Sequence, residues 1–220
     1  MADLVGYSVA DGIATLTMDD GKANALSLDM STALSRRLDQ AEAEARAVVI
    51  TGRPGVLCGG FDLRVIRGDD EAALKKMRDS GFALLQRLYL HPQPVIVACT
   101  GHAVAAGAIL LLVGDVRIGV EGDFKIGLNE VAIGLTLPPF ALELARDRLS
   151  PAALTAAILE SRLYDAAGAC AAGYLDETAA DGKLAGQVAA RARSLLDLEG
   201  AAFAETKRRL RQPTFDRGGL

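Results

Sequence analysis

The sequence predicts an α/β fold with one large domain, and two observations support this class. Short apolar runs that suit buried strands alternate along the chain with segments whose apolar residues recur at helical spacing. The chain has 220 residues, of which 50% are hydrophobic, so it is long enough to bury one sizeable core. We predict a core over residues 1–195 and a short helical C-terminal segment over residues 196–220.

The N-terminal half predicts a hairpin, followed by strands that alternate with amphipathic helices. Asp11-Gly12 is a turn signal between two strand-like runs, and Ser27 can cap the first helix. The predicted strands are residues 5–9, 13–18, 48–50 and 95–99. The apolar faces of the two predicted helices consist of Met30, Leu34, Leu38, Ala41 and Ala45, and of Leu74, Met77, Gly81, Leu84, Leu85 and Leu88.

The C-terminal half is predicted to be mainly helical. Ser150-Pro151 combines a capping residue with a proline that suits the first helical turn, and Gly173 ends a turn. The other predicted helical segments are residues 108–113, a stretch from 137 onward, 183–196 and 199–210.

Charge and composition exclude several classes of protein. A net charge of −4 gives no basic surface for nucleic acid or an anionic membrane, and we interpret the basic run at 207–211 as a solvated helix face. The longest apolar stretch, residues 103–113, is too short to span a membrane, and the N-terminus lacks a signal-peptide pattern. We therefore expect a cytoplasmic protein. The cysteines, which we expect to be buried free thiols, are Cys58, Cys99 and Cys170.

Three separate loops, each beside a predicted strand, carry the candidate chemistry. The glycine-rich loop at 51–63 lets backbone approach a ligand closely, and the loop at 100–107 enters an apolar helix whose first N–H groups can stabilise an oxyanion. The loop at 124–135 places Glu130 among apolar neighbours, where desolvation would raise its pKa toward that of a general base. Each loop alone also has a structural explanation: a surface turn, a tightly packed helix start, and an exposed or ion-paired glutamate.

Together the three loops resemble motifs of the enoyl-CoA hydratase/isomerase (crotonase) superfamily. Residues 49–63 resemble its first oxyanion motif, residues 94–117 its second, and the Lys-Ala-Asn-Ala-Leu stretch at 22–26 its signature near the coenzyme A site. The resemblance covers residues 13–177. It implies a crotonase-like spiral of β-β-α turns, an acyl-CoA thioester as the substrate, as in fatty acid metabolism, and no cofactor besides the substrate's coenzyme A. It also implies that the C-terminal segment packs subunits into a homotrimer or hexamer.

The resemblance also implies which residues form the site. The backbone N–H groups of Phe61 and Ala106 would donate to the thioester oxygen, which gains negative charge when a proton is removed from the alpha carbon. Glu130 would be the catalytic acid/base. The implied substrate-binding residues are Lys22, Asn24, Ala25, Gly60, Asp62, Leu63, Gly107 and Ile109. We expect no metal site, because the sequence has no His, Cys or carboxylate cluster with ligand spacing.

The number of carboxylates distinguishes the possible reactions. Hydratases of the superfamily use two glutamates, and Ile109 stands at the position of one of them, whereas double-bond migration needs one acid/base. The stretches around Arg53 and before Glu130 look closest to those of enoyl-CoA delta-isomerases. We therefore expect an isomerase that shifts a beta,gamma double bond to alpha,beta. An enoyl-CoA hydratase, another crotonase-type lyase or hydrolase, and a non-catalytic acyl-CoA-binding subunit remain alternatives.

Several residues depart from the family pattern or suit a structural role. Ala105-Ala106 replaces two glycines and Phe61 is bulkier than usual, which affects the space available to the acyl chain. Asp115 is expected to be a buried hydrogen-bonding aspartate, and His102 is expected to serve packing or hydrogen bonding within its loop.

Overall fold

Two β-sheets and a set of surrounding helices make up the protein. The structure is a computed structural model that describes residues 3–218; residues 1, 2, 219 and 220, at the outer ends of the two predicted segments, lie outside the described residues. The strands are β1 (Val5–Ala10), β2 (Ile13–Met18), β3 (Ala47–Gly52), β4 (Gly55–Cys58), β5 (Val95–Cys99), β6 (Gly101–Val104), β7 (Val116–Val120), β8 (Ile126–Gly127) and β9 (Glu177–Ala179). The α-helices are α1 (Leu28–Glu44), α2 (Leu63–Ile66), α3 (Glu71–Tyr89), α4 (Ala106–Val113), α5 (Pro139–Arg148), α6 (Ala166–Ala172), α7 (Leu184–Leu196) and α8 (Gly200–Gly218).

The large sheet has the strand order β1-β2-β3-β5-β7-β9. The hairpin predicted at Asp11-Gly12 is confirmed: β1 and β2 are antiparallel, and Ala10 pairs with Ile13 across the turn. The other neighbouring strands run parallel. Parallel neighbours require crossovers, and helices supply them, so the α/β class predicted from the sequence is confirmed.

The small sheet, β4-β6-β8, is parallel and was not predicted. The sequence analysis treated residues 51–63, 100–107 and 124–135 as loops, but each range contains one of these strands. Glycine-rich segments of two to four residues carry too little periodicity to be recognised as strands. Successive strand pairs alternate between the sheets: β3, β5 and β7 join the large sheet, while β4, β6 and β8 join the small one. A helix then follows each pair, which gives the spiral of β-β-α turns.

Side-chain alternation divides the core into two layers. In β3, Val48 and Ile50 belong to the main cluster, which also contains residues of α1, α3, α4 and α5. The neighbouring Val49 faces the other side of the sheet, where Val188 and Ala192 of α7 cover it. A strand directs successive side chains to opposite faces, so helices cover both faces of the large sheet.

Helix α1 begins and packs as the sequence predicts. The hydroxyl oxygen of Ser27 accepts a hydrogen bond from the N–H of Met30 at 3.1 Å, which caps the helix. Its buried face comprises Met30, Ser31, Leu34, Leu38 and Ala41. Ala45, predicted on the same face, instead follows the helix as its C-terminal cap.

The C-terminal helices differ from the prediction in two places. Ser150-Pro151 does not start an α-helix: a short turn there leads into a wide π-helical turn, Thr155–Leu159. The N–H of Ser150 bonds to the carbonyl of Ala172 at 2.9 Å. Helix α8 continues to Gly218, beyond the predicted end at 210, and packs along α5. Gly173, predicted to end a turn, is the C-terminal cap of α6 and has a left-handed conformation.

The basic run is not a solvated face throughout. Lys207 and Arg211 point inward and form ion pairs with Asp115 at 2.6 Å and 2.9 Å, whereas Arg208 and Arg209 are exposed. Arg211 also donates to carbonyl oxygens at the ends of α3 and α4. Burial of these two cations is tolerated because Asp115 and the helix-end carbonyls compensate their charge.

The described residues show the state of the cysteines, the hydropathy of the helices and the placement of possible metal ligands. All three cysteines are free; Cys58 and Cys99 are buried, but Cys170 is only partly buried. Within residues 3–218, no helix is long and apolar enough to cross a membrane. The same residues contain no group of three or more His, Cys, Asp or Glu side chains placed to hold a metal ion.

Candidate active site

The small sheet brings the three predicted loops together. β4, β6 and β8 are parallel, so their carboxyl ends lie at one edge of the sheet, where α/β proteins bind ligands. β4 leads into residues 59–62, β6 into Ala105-Ala106, and β8 into residues 128–130. The sequence singled out these loops, and the unpredicted strands explain why they are neighbours.

The first two loops contact each other at Gly60 and Ala105. Gly60 has a φ of +97°, which disfavours any residue with a Cβ. A Cβ at Gly60 would also lie 3.0 Å from the Cβ of Ala105 and 3.6 Å from the nitrogen of Ala106. The loop that contains Phe61 therefore lies directly against the start of α4.

Helix α4 begins with N–H groups that point away from its own hydrogen-bonding ladder. Ala106 is its first residue, and Ala105 before it adopts a φ of +54°, a strained conformation for alanine. Gly107 lies against β4, since a Cβ there would be 2.8 Å from the carbonyl carbon of Cys58. Among the described residues, neither the Phe61 nor the Ala106 N–H donates to a protein acceptor. Both N–H groups are therefore unsatisfied within the described residues, and Ala106 itself is only 1% exposed.

Glu130 provides a buried carboxylate near the same edge. Its exposed fraction is 8%, and among the described residues it is the only Asp or Glu in the buried class. The atom Oε2 has no hydrogen-bond partner within residues 3–218. Burial raises the pKa of Glu130, and the backbone N–H groups of Glu130 and Asn129 offset part of that effect. A carboxylate in this state suits proton transfer.

A backbone connection limits the distance between Glu130 and the oxyanion loop. The N–H of Ala105 donates to the carbonyl oxygen of Gly127 at 3.0 Å. Glu130 follows Gly127 by three residues, so their Cα atoms lie within about 11 Å of each other. The acid/base candidate and the two candidate donors therefore belong to one small region.

Two residues that the sequence analysis did not identify hold the Glu130 loop. The hydroxyl oxygen of Tyr174 accepts a hydrogen bond from Leu128 N–H, and the hydroxyl oxygen of Ser161 accepts one from Ala132 N–H at 3.0 Å. Ser161 has a φ of +54°. Both lie far from the loop in sequence, and no local pattern marks either one.

Ile109 is buried in α4 with an exposed fraction of 1%. Its N–H bonds to the carbonyl of Ala105 at 3.1 Å, so it lies one turn into the helix. The position that the resemblance associates with a second glutamate therefore carries an apolar side chain in the core.

A cleft of about 460 Å³ lies beside the first loop. The predicted substrate-binding residues that line it are Lys22, Ala25, Asp62 and Leu63, together with Phe61. The predicted site residues that do not line it are Asn24, Gly60, Ala106, Gly107, Ile109 and Glu130. Lys22 and Arg64 supply positive charge at its exposed edge, and Asp20, Asp29 and Asp62 supply negative charge.

Asn24 faces the protein interior and does not line the cleft. It is fully buried, with a φ of +50°, and its amide donates to the carbonyl oxygens of Met18 at 3.0 Å and Leu57 at 3.2 Å. Its side-chain oxygen accepts from the N–H of Asp20 at 3.0 Å. Asn24 thus holds the 20–25 segment against β4, and any effect it has on a ligand passes through Lys22 and Ala25.

Asp62 caps the short helix α2. Its carboxylate accepts from Arg64 N–H at 2.9 Å and pairs with the guanidinium of Arg64 at 2.7 Å. These contacts with Arg64 hold the pKa of Asp62 below its usual range. The carboxylate is therefore occupied in supporting its loop.

The Phe61 side chain packs against α3. Its ring lies 5.4 Å from the ring of Phe82, centroid to centroid, at an interplanar angle of 57°. A Cβ built on Gly81 would lie 2.9 Å from Cζ of Phe61 and closer still to Cε1. The sequence analysis assigned Gly81 only to a helix face. A glycine in the middle of a helix lowers helix stability by about 1 kcal/mol relative to alanine, so its presence there could have indicated a close contact.

His102 and Asp115 have the structural roles predicted for them. The Nδ1 atom of His102 accepts a hydrogen bond from Lys125 N–H at 2.9 Å, and its ring packs edge-on against Phe124. Asp115 accepts from the N–H of Val95 at 2.7 Å in addition to pairing with two cations.

Comparison with known proteins agrees with the fold and with the family that the motifs resemble. The family model described as enoyl-CoA hydratase/isomerase matches residues 8–218. A crystal structure of an enoyl-CoA hydratase/isomerase family protein from Pseudomonas syringae is 45% identical and superposes with a TM-score of 0.94, covering 98% of this chain and 94% of that one. Human mitochondrial delta3-delta2-enoyl-CoA isomerase is 25% identical, with a TM-score of 0.94 over 97% of this chain and 85% of that one.

The curated relatives include proteins named as enoyl-CoA hydratases and proteins named as enoyl-CoA delta isomerases. A probable enoyl-CoA hydratase of Rhodobacter capsulatus is 31% identical over 211 residues, which is 93% of this chain and 79% of that protein. Alignments with two further bacterial relatives cover 54% and 66% of those proteins. The fold and the sequence place the protein in the crotonase superfamily. The chain belongs to the enoyl-CoA hydratase/isomerase family, as its motifs predicted.

Proposed function

We propose that the protein is an enoyl-CoA isomerase that shifts a beta,gamma double bond into conjugation with the thioester. The observation that carries this proposal is that Glu130 is the single Asp or Glu in the buried class within residues 3–218, with a raised pKa and an oxygen that has no partner among those residues. Ile109 occupies the position where hydratases of the superfamily have a second glutamate. Isomerisation needs one group that removes and returns a proton, and Glu130 alone can perform both steps.

The proposed reaction conserves the proton and uses no other reactant. The Glu130 carboxylate takes a proton from the alpha carbon, and the electron pair of that C–H bond delocalises as a dienolate onto the thioester oxygen. The N–H groups of Phe61 and Ala106 stabilise the negative charge, each donor lowering the barrier by about 2.7–4 kcal/mol. Protonated Glu130 then delivers the proton to the gamma carbon, the double bond forms between the alpha and beta carbons, and the carboxylate is regenerated.

The cleft beside the first loop supports an acyl-CoA as the substrate. A ligand whose thioester reaches the N–H of Phe61 would pass Ala25 and Leu63. At the exposed edge it would meet Lys22 and Arg64, the latter ion-paired with Asp62. Coenzyme A carries phosphates, which basic side chains bind well. We assign the exposed edge of this cleft to the coenzyme A portion of the substrate, and its part beside Phe61 to the thioester.

Hydration is the main alternative, because a relative that is 31% identical is named as a probable enoyl-CoA hydratase. It requires a base for water and an acid for the carbon, and within residues 3–218 Glu130 is the only carboxylate in the buried class. A non-catalytic acyl-CoA-binding subunit would have no use for a buried, unpartnered carboxylate, which costs stability.

Paired assays test the proposal. A beta,gamma-enoyl-CoA and an alpha,beta-enoyl-CoA are supplied separately, and conversion is followed by product analysis. We expect conversion of the first without hydration of the second, and a loss of about 10²–10⁴-fold in the Glu130→Gln variant. Glu121→Gln, the same change at an exposed position after β7, is the matched control and keeps wild-type turnover.

Three outcomes would contradict the proposal in different ways. Full isomerase turnover in Glu130→Gln would exclude Glu130 as the acid/base. Rapid hydration of the alpha,beta substrate would establish the hydratase. Binding of both acyl-CoA substrates without conversion of either would support the non-catalytic subunit.

The resemblance also suggests a homotrimer or hexamer, and exposed apolar side chains support assembly. Val131, Ile133 and Leu135, directly after Glu130, are 44%, 45% and 38% exposed, and Leu210 on α8 is 73% exposed. Apolar groups clustered on a surface commonly mark interfaces. Size-exclusion chromatography coupled to light scattering measures the mass of the assembly. A monomer at micromolar concentration would contradict this assignment. The cytoplasmic location remains a prediction from the sequence.

A further inference from the structure

Helix α3 contains a glycine where its packing leaves no room for a side chain. Gly81 lies in mid-helix and is buried, although glycine is a poor helix former. The ring of Phe61 occupies the space beside it: a Cβ on Gly81 would come within 2.9 Å of Cζ and closer to Cε1. Real Cβ atoms do not approach carbon that closely, so the ring position seen here requires a glycine.

The ring lies at a boundary between the helix and the proposed site. One side packs on Gly81 and Phe82, with a centroid distance of 5.4 Å to the Phe82 ring, while Phe61 also lines the cleft. The same residue carries the N–H proposed to bind the thioester oxygen. The Cβ of Phe61 is two bonds from the nitrogen of that N–H, so a ring that rotates away from α3 moves into the neighbourhood of the bound thioester.

We propose that Gly81 is a specificity-determining residue that forms a recess for the Phe61 ring and so keeps the space beside the thioester open for the acyl chain. The inference rests on the proposed function, because it takes the Phe61 N–H as the thioester donor. The ligands that benefit are acyl-CoA thioesters whose chains are long enough to extend from the thioester past the Phe61 ring. Short chains should therefore be affected less than long ones.

Gly81→Ala is the direct test. The added methyl group displaces the far end of a ring that can rotate, so the fold is retained and the ring moves toward the acyl chain. We expect kcat/KM for an eight-carbon enoyl-CoA to fall by about tenfold or more relative to a four-carbon substrate, since steric misfit of this size discriminates substrates to that degree. Unchanged chain-length selectivity, or an equal loss for both chains, would overturn the inference.

Gly186→Ala is the matched control. Gly186 also lies within a helix, α7, but a Cβ there would meet nothing within 4 Å. The same substitution should therefore leave chain-length selectivity unchanged. A selectivity change in this variant as large as that in Gly81→Ala would mean that general helix rigidity, and not the Phe61 contact, is responsible.

A second pair of variants isolates the contact. Without the ring, a methyl group at position 81 has room, so Gly81→Ala should have no effect on selectivity in a Phe61→Ala background. If the chain-length selectivity of Phe61→Ala and that of the double variant agree within about twofold, the coupling between Gly81 and the Phe61 ring is supported. A tenfold loss that persists in the double variant contradicts it.

Binding of saturated acyl-CoA thioesters separates this inference from the proposed reaction. Butanoyl-CoA and octanoyl-CoA cannot be isomerised, and their Kd values are measured by calorimetry for wild type and Gly81→Ala. An octanoyl-specific loss supports the recess even if wild type shows no isomerase turnover, in which case only the proposed reaction fails. The opposite result is also possible: the wild type isomerises normally, but the ratio of the octanoyl-CoA Kd to the butanoyl-CoA Kd is the same in Gly81→Ala as in the wild type. The proposed reaction then stands and the role of Gly81 is overturned.

Discussion

The hydroxyl oxygen of Tyr174 accepts a hydrogen bond from the N–H of Leu128 at 3.3 Å, which ties the segment after α6 to the loop that carries Glu130. Both residues are fully buried. Leu128 precedes Glu130 by two residues, so the position of the proposed acid/base depends on a side chain far along the chain. Burial raises the pKa of Tyr174, which keeps its hydroxyl neutral at physiological pH.

Tyr174→Phe should lower turnover more than it weakens substrate binding. It leaves the Leu128 N–H buried without an acceptor, at a cost of about 1–3 kcal/mol in the free energy of unfolding. The loop then loses a fixed point near Glu130, so kcat should fall while KM changes little. Denaturant unfolding and steady-state kinetics measure the two effects. A stability loss with unchanged kcat would show that Tyr174 supports the fold only.

Glu130→Gln should be more stable than the wild type at neutral pH. A carboxyl group with a raised pKa binds its proton more tightly in the folded state than in the unfolded state. Stability from this group is therefore fully present below the ordinary glutamate pKa of about 4.3 and is lost as the pH rises through the higher folded value. Glutamine carries no charge at any pH, so the advantage of the variant should grow as the pH rises through that window.

Urea unfolding of both proteins between acidic and neutral pH checks this prediction. The difference in unfolding free energy should be smallest at low pH and reach a plateau above the folded pKa. The activity of the wild type should decline on the acid side with an apparent pKa above the ordinary glutamate value, because the base must be ionised. A stability difference that did not vary with pH would mean that Glu130 is not desolvated as described.

Local patterns in the sequence were sufficient for elements governed by neighbouring residues. The Asp11-Gly12 turn and the Ser27 cap depend on groups within a few positions, and both are confirmed. The three chemical loops were also identified, because their glycines and small residues stand out. Their proximity was not derivable from local pattern, since it depends on short strands paired across distant parts of the chain.

Long-range contacts account for most of what the sequence did not reveal. Lys207 and Arg211 have the spacing of an ordinary basic helix, and only the fold brings Asp115 between them. The partners of Tyr174 and Gly81 are likewise distant in sequence. Asn24 was predicted to bind substrate through a motif, but the structure shows its polar atoms satisfied within the protein.

Asn24→Ala should reduce stability and raise KM together. The change removes two donors to buried carbonyl oxygens and forces alanine into a left-handed conformation, which together cost about 2–4 kcal/mol. Lys22 and Ala25 would then lose their fixed position in the cleft. Thermal unfolding and acyl-CoA affinity are the measurements. Weaker binding at unchanged stability would instead indicate a direct contact between Asn24 and the ligand.

Asp115 should tolerate substitution less well than its partner Lys207. Asp115 pairs with Lys207 at 2.6 Å and with Arg211 at 2.9 Å, and all three side chains are nearly inaccessible. Asp115→Asn leaves two buried cations without a carboxylate, which should cost about 3–5 kcal/mol. Lys207→Met leaves Asp115 paired with Arg211 and removes a cation whose burial lowers its pKa to about 8, so its cost should be smaller. Urea unfolding of both variants measures the difference, and a larger loss for Lys207→Met would show that the Lys207 pair, and not Asp115 as a shared partner, stabilises this end of α8.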